Sequence, residues 1–367
     1  MAAVLTDRVF PGADKLSANT SADADVRVMI IDDSLTVRTV FKRMIDSEND
    51  LVVVAQAGTA EQALMTLRST RIDVILLDLE MPGMGGLEAL PRILGTAAGA
   101  QILVVSSLTA DGAEATLRAL QMGAADTMLK PRPGGFTEDY RNGLLGKIRA
   151  LGGKPTIDDS PSPAIIARSR IPKRPHVVAI GASTGGIHAI NLFLREIPAH
   201  FDLPILITQH LPESFIPVFA RQIEAASGRE AMLADEGVII ARGKVFIAPG
   251  HGHMVLRKSG DRVIAGLAHH PVQSGCRPSV DPMFESLAEA YEGHVAGVLL
   301  SGMGRDGSEG AAKIADAGGG IYAQDEATCA VWGMPRAVAE GGIAIAVCPP
   351  EELARKVLAS AGADAWR

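Results

Sequence analysis

A chain of 367 residues, 47% apolar and 21% charged, holds material for two or three domains, each large enough for its own core. Its net charge of -7 argues against the basic face that general nucleic-acid binding requires. Three widely spaced cysteines without a C-x-x-C (Cys276, Cys329 and Cys348) argue against a disulfide framework or a thiolate zinc site, and fit a cytoplasmic protein with reduced thiols.

Residues 1–25 open on a short apolar run with Asp7 and Arg8 close behind. They lack a signal-peptide pattern and are predicted to be a disordered tail. No apolar run reaches membrane-spanning length, so direct membrane insertion is not expected. From residue 26, apolar runs alternate with helical spacing. Strands are predicted at 26–31, 51–57, 73–79, 101–107 and 125–130, and a last helix at 136–150. Near-continuous apolar strands suit a parallel sheet covered on both faces, so 26–151 is predicted to be a doubly wound, flavodoxin-like α/β domain. Residues 152–175, rich in Pro, Gly, Ser and charge, are predicted to be a linker. Apolar runs then recur at 176–181, 203–209, 244–249, 253–258, 293–302 and 342–347. They predict a second, larger α/β domain over 176–367, Rossmann-like and mostly parallel, with some mixed pairing.

In open parallel sheets, ligands collect beyond the carboxyl ends of the strands. In the first domain those ends carry Asp32-Asp33-Ser34, Asp78, Ser106-Ser107 and Lys130-Pro131. Acids also cap helix N-termini, which is the plain reading of Asp33 alone. Three carboxylates on one rim repel one another unless a cation lies among them, and an all-oxygen set favours Mg²⁺. An Asp in the middle of VILLDLEMP needs a partner or a purpose. Lys130 can serve as a point charge for a phosphate, and its bond to Pro131 is one that can be cis.

The stretches IIDDS, LLDLEMPGMGG, VVSSLT and LKP resemble a two-component receiver domain. The resemblance implies that Asp78 accepts phosphate from a histidine kinase. It also implies that Asp32, Asp33, Asp78 and the Glu80 carbonyl hold Mg²⁺, that Ser106 is the switch hydroxyl and that Lys130 contacts the phosphate. Thr127 stands where receivers often carry an aromatic residue.

In the second domain, VVAIGASTGG runs from an apolar strand into Gly181-Ala182-Ser183-Thr184-Gly185-Gly186 and then a helical pattern. G-x-S-x-G between strand and helix suits an exposed serine nucleophile, which needs a base to become reactive. A dinucleotide cradle would want an acid at the end of the next strand, but LPILITQHL ends in Gln209-His210; a P-loop would need Gly-Lys-Ser/Thr after the turn. GVLLSGMGRDG supplies Asp306 after a further strand as a partner for His210. Taken singly, each of the three is a common turn residue. Together, each beyond a strand, they form a Ser-His-Asp candidate set.

AIGASTGG, ITQHLP, VFIAPG, RPSVDPMF and LLSGMGRDG resemble the catalytic domain of chemotaxis protein-glutamate methylesterases of the CheB type. The resemblance implies that Ser183, His210 and Asp306 hydrolyse glutamate methyl esters on chemoreceptor helices through an acyl-enzyme. The backbone N–H groups of Thr184 and Met303 would hold the oxyanion, and ester hydrolysis would need no cofactor. Some relatives also deamidate glutamines. The implied partners are a chemotaxis histidine kinase and methylated chemoreceptors. The tethered receiver is expected to cover the cleft until phosphorylated. The alternatives are the same chemistry on another substrate, a phospho-switched scaffold without catalysis, and a transcription regulator, for which no recognition helix is evident. Arg277 lies on the expected cleft rim, His251 and His253 form a weak H-x-H metal pattern, and Cys276 lies near the cleft without a paired base in the sequence.

Overall fold

The computed structural model describes residues 25–107, 109–131, 135–153 and 171–362. The expected tail, except Asp25, and most of the expected linker lie outside the described residues.

The first unit runs β1 (Val26–Ile31), α1 (Leu35–Ile45), β2 (Leu51–Ala57), α2 (Ala60–Leu67), β3 (Val74–Asp78), α3 (Gly86–Thr96), β4 (Gln101–Ser106), α4 (Ala110–Gln121), β5 (Asp126–Leu129) and α5 (Glu138–Gly152). All its strand pairs are parallel, in the order β2-β1-β3-β4-β5. Local chemistry sets the helix starts. Ser34, Thr59, Thr109 and Thr137 each accept a backbone N–H from the first turn of α1, α2, α4 and α5, a cap worth about 1 kcal/mol apiece. The apolar runs of β1, β3 and β4 are buried almost throughout, between helices on both faces.

The second unit continues with β6 (Val177–Ala182), α6 (Gly186–Arg195), β7 (Ile205–Gln209), a 3-10 turn (Glu213–Phe215), α7 (Ile216–Ser227), β8 (Ala231–Leu233), β9 (Val245–Ile247), β10 (His253–Ser259) and β11 (Arg262–Ala268). It ends with α8 (Val280–Ala290), β12 (Val295–Leu299), α9 (Ser308–Asp316), β13 (Gly320–Gln324), α10 (Met334–Glu340), β14 (Ala346–Cys348) and α11 (Pro350–Ala361). Its main sheet has the order β14-β13-β12-β6-β7-β9-β8. Every pair in it is parallel, which corrects the expected mixed pairing. The antiparallel strands β10 and β11 form a separate hairpin instead, tied to α8 by the Leu256 N–H donating to Ser286 Oγ at 3.0 Å. The run expected as a strand over 342–347 pairs only from Ala346 onward.

The chain leaves β6 toward β7 on one side and later returns to β12 on the other. The carboxyl ends of β6 and β12 therefore flank a topological switch point, where open α/β sheets leave a crevice.

Candidate active site

Sheet register brings two of the candidate residues together. Ala182 of β6 pairs with Gln209 of β7, so Ser183 and His210 are the first residues beyond two adjacent strands. On the other flank, Leu299 of β12 pairs with Gly181, and Ser183 N–H donates to the Ser301 carbonyl at 3.0 Å. The loop after β12 then carries Asp306 back under the turn. Its Oδ2 lies 2.7 Å from His210 Nε2.

The turn at Ser183 is built for close approach. The left-handed residue is Gly185, at φ 78°, rather than Ser183. A Cβ on Gly185 would stand 2.5 Å from Ser301 Oγ and 2.6 Å from the Ala330 Cβ, and one on Gly302 would stand 2.9 Å from the Ser183 Cβ. Gln209 Nε2 donates to the Ser183 carbonyl at 2.9 Å and stiffens the turn from the β7 side.

Asp306 is buried and fully engaged. Ser279 Oγ donates to its Oδ1 at 2.6 Å, and the Val280 N–H at the start of α8 donates to its Oδ2 at 2.7 Å. Burial pushes this carboxyl up, but the bonds from His210, Ser279 and Val280 outweigh it and hold Asp306 well below the usual range. Burial likewise favours a neutral His210 ring. Asp306 and the Cys276 thiol overcome it and push the imidazole up to about 9. In the neutral ring, with Oδ2 accepting from Nε2–H, Nδ1 is the nitrogen that carries the lone pair. Cys276 corrects an expectation here: it lies beside His210, within the same small cluster as Asp306.

Sequence reasoning missed the support of Asp306. Ser279 lies in RPSVD, two residues beyond Arg277 of the expected cleft rim. Its N–H donates to His253 Nδ1 at 3.0 Å, and His253 Nε2 meets the His270 carbonyl at 3.1 Å. His253 is thus a buried neutral prop rather than half of a metal pair, while His251 lies apart, 3.8 Å from Glu213 Oε1. Arg277 is exposed, and the cis X-Pro bond of the described residues is Arg277–Pro278, not Lys130–Pro131. Thr184 is buried, and Met303 is exposed, next in the chain to Gly302, which packs against Ser183.

The first unit sits directly over this site. The Ala125 carbonyl accepts the Gly185 N–H at 2.5 Å, and Asp126 Oδ2 accepts Thr184 Oγ1 at 2.5 Å. The Gln121 carbonyl lies 3.1 Å from His188 Nδ1. Ser183 and His210 are left facing Leu120, Ala124, Ala125 and Asp126 across a cavity of about 10 Å³, space for one water at most. No hydrogen bond joins Ser183 to His210 among the described residues.

Asp32, Asp33 and Asp78 each place a carboxylate oxygen within 4.8 Å of the others. Lys130 Nζ bridges two of them, at 2.6 Å from Asp78 Oδ2 and 3.1 Å from Asp32 Oδ2. Burial raises the Asp78 carboxyl, and the Lys130 bond offsets part of that. Ser106 Oγ is buried with no partner, as is Thr127 Oγ1, whereas Ser107 bonds Glu80 Oε1 at 2.5 Å. An all-oxygen set of this density, over a buried and orphaned hydroxyl, fits Mg²⁺ and a phosphoryl group.

Comparisons with known proteins agree with this organisation. A family profile described as CheB methylesterase matches residues 178–357, and one described as response regulator receiver domain matches residues 28–135. A protein-glutamate methylesterase/protein-glutamine glutaminase of Paramagnetospirillum magneticum is 39% identical over 371 residues, covering 92% of this chain and 97% of its own. One from Caulobacter vibrioides is 42% identical over 339 residues, covering 89% of this chain and 96% of its own. The crystal structure of the Thermotoga maritima CheB methylesterase catalytic domain shares 34% identity and covers 50% of this chain and 98% of that chain, at a TM-score of 0.49.

Proposed function

Since the chain belongs to the CheB family of response-regulator methylesterases, we propose that Ser183, His210 and Asp306 hydrolyse γ-glutamyl methyl esters on chemoreceptor helices, under control of phosphate on Asp78. The observation that carries the reading is the 2.7 Å contact of His210 Nε2 with buried Asp306, one strand away from Ser183.

Asp306 holds the ring so that Nδ1 takes the Ser183 proton as Oγ attacks the ester carbonyl. His210 then passes the proton to the departing methoxide. Water, deprotonated by the same nitrogen, cleaves the acyl-enzyme and restores glutamate. The Thr184 and Met303 amides would meet the oxyanion, each worth about 3 kcal/mol when preorganised. The same acyl-enzyme would form from a glutamine side chain with ammonia as leaving group, which is the second activity in the relatives' names.

The docked receiver supports a closed resting state, since Ala125 and Asp126 occupy the turn that substrate must reach. In the receiver, Asp32, Asp33, Asp78 and the Glu80 carbonyl would hold Mg²⁺, which supplies positive charge against the phosphoryl oxygens. Lys130 and the unpartnered Ser106 hydroxyl would turn toward the phosphate and bias the loops of the β4–β5 edge, which also carries the contact with the esterase. The phosphodonor is a chemotaxis histidine kinase, and the protein works in the cytoplasm.

The test is methanol release from methylated receptor membranes, with and without a small acyl phosphate. Ser183→Ala should lose hydrolysis in both conditions, and Asp78→Asn should keep the resting rate and lose the stimulation. Full hydrolysis by Ser183→Ala would end the catalytic reading.

A further inference from the structure

We infer that Cys276, His210 and Asp306 form an inhibitory site for a thiolate-seeking divalent cation, Zn²⁺ in chemical class. The inhibitory part of this inference rests on His210 being the base of the esterase; the binding part does not.

Three residues distant in sequence each contribute one ligand atom, all within 4.8 Å of one another. Cys276 arrives on the loop between β11 and α8, His210 at the end of β7, and Asp306 after β12. The donor types are one sulfur, one imidazole nitrogen and one carboxylate oxygen. That mixture suits tetrahedral Zn²⁺ with a water in the fourth position, and it is the wrong set for Mg²⁺. The all-oxygen cluster at Asp32, Asp33 and Asp78 has the opposite preference. Zinc bonds of about 2.0–2.3 Å place two ligand atoms of one ion roughly 3.3–3.8 Å apart, so only a small adjustment within the cluster is required.

The cluster is also propped from behind. Ser279 Oγ and the Val280 N–H hold Asp306 in place. Outer partners of this kind orient ligands and raise metal affinity. Cys276 is only partly buried with the receiver docked. The residue thus keeps contact with solvent in the docked arrangement. The other two thiols are poor competitors: burial pushes Cys348 up to about 11 and Cys329 higher still.

Ligation replaces the Cys276 S–H by an S–Zn bond and a ring N–H of the His210 imidazolium by an N–Zn bond, and both protons go to solvent. Bound through Nδ1, with Cys276 and His210 as its protein ligands and Asp306 left on Nε2, the metal takes the lone pair that would receive the Ser183 proton. Bound through Nε2, it displaces the Asp306 contact. Either arrangement stops proton transfer, and a chelator should reverse it.

The test uses the full chain with Mg²⁺ in excess. Co²⁺ as a spectroscopic probe should give a thiolate-to-metal charge-transfer band that Zn²⁺ abolishes at one equivalent. Cys276→Ser should lose the band, and Cys329→Ser should keep it. Zn²⁺ should inhibit methanol release by the wild type, relative to its own rate without Zn²⁺. Loss of a direct ligand outweighs loss of an outer partner, so Cys276→Ser should need roughly tenfold more Zn²⁺ or higher. An identical band and identical stoichiometry in wild type and Cys276→Ser would overturn the site. Inhibition that Cys276→Ser leaves unchanged would overturn the inhibitory role. A protein that binds Zn²⁺ through Cys276 but hydrolyses no ester would instead overturn the esterase reading and leave the metal site standing.

Discussion

Asp126 joins the two domains through its side chain, and removing that side chain should raise the resting esterase rate. Its Oδ2 accepts Thr184 Oγ1 at 2.5 Å and Lys147 Nζ at 2.5 Å. A hydrogen bond to a charged acceptor contributes about 1.5–3 kcal/mol. The lower end applies, because the group is only partly buried and Lys147 keeps the carboxylate satisfied when the domains part. About 1.4 kcal/mol corresponds to tenfold in an equilibrium constant. Asp126→Ala should therefore raise the open fraction, and with it unphosphorylated methanol release, about tenfold. Asp126→Asn keeps an acceptor without the charge and should give a smaller rise. Neither variant should open the protein fully, since the Gly185 N–H to Ala125 carbonyl bond and the apolar contact around Leu120 and Leu211 remain. With saturating acyl phosphate, wild type and variants should converge on one rate. A folded Asp126→Ala protein whose resting rate equals that of the wild type would refute the reasoning, and the receiver would then block the site without help from the Asp126 side chain.

Other expected outcomes follow from the same geometry. His210 must be neutral to act as base, and its pKa is pushed up to about 9. Resting activity should therefore climb with pH through that value, as a pH-rate profile would record. The same raised pKa stabilises the folded state fully below the unfolded value of about 6.5, and that contribution is lost as pH rises through about 9. Ser279→Ala leaves Asp306 Oδ1 short of a buried donor; a loss of about 1–3 kcal/mol predicts a fall in kcat of about 5- to 150-fold with the acid limb displaced, whereas a purely structural role would lower the melting temperature and leave the limb in place. Gly185→Ala forces a side chain onto φ 78° against Ser301 and Ala330, and thermal denaturation should show at least about 1–3 kcal/mol of destabilisation. Lys130→Met removes the ammonium that bridges the Asp78 and Asp32 carboxylates and would meet the phosphate. It should abolish stimulation by acyl phosphate while the resting rate persists, as paired methanol-release assays would read.

Short-range pattern carried most of the fold. The five receiver strands lie within one residue of their expected bounds at either end, because buried parallel strands read as continuous apolar runs bounded by turn residues. Three strands escaped notice for local reasons. β8 has only three residues, GIYAQ of β13 follows Gly318-Gly319 and resembles a turn, and β11 carries a half-exposed pattern in a hairpin off the main sheet. The Ser183 turn, His210 and the acidic rim were also legible, since strand ends in an α/β sheet are where polar residues would otherwise be costly.

What the linear chain could not express was which distant groups meet. RPSVD gave no sign that Ser279 would hold Asp306, or that Cys276 would come to rest beside His210, because both meetings depend on how the loop before α8 packs under the β12 loop. Nothing in AADTML indicates that Ala125 and Asp126 close over Thr184 and Gly185. Residue types and their periods determined the two sheets and the chemistry at their edges. Only the packing of one domain on the other decided which of those groups are covered, because contacts between separately folded surfaces leave no periodic trace in the sequence that forms them.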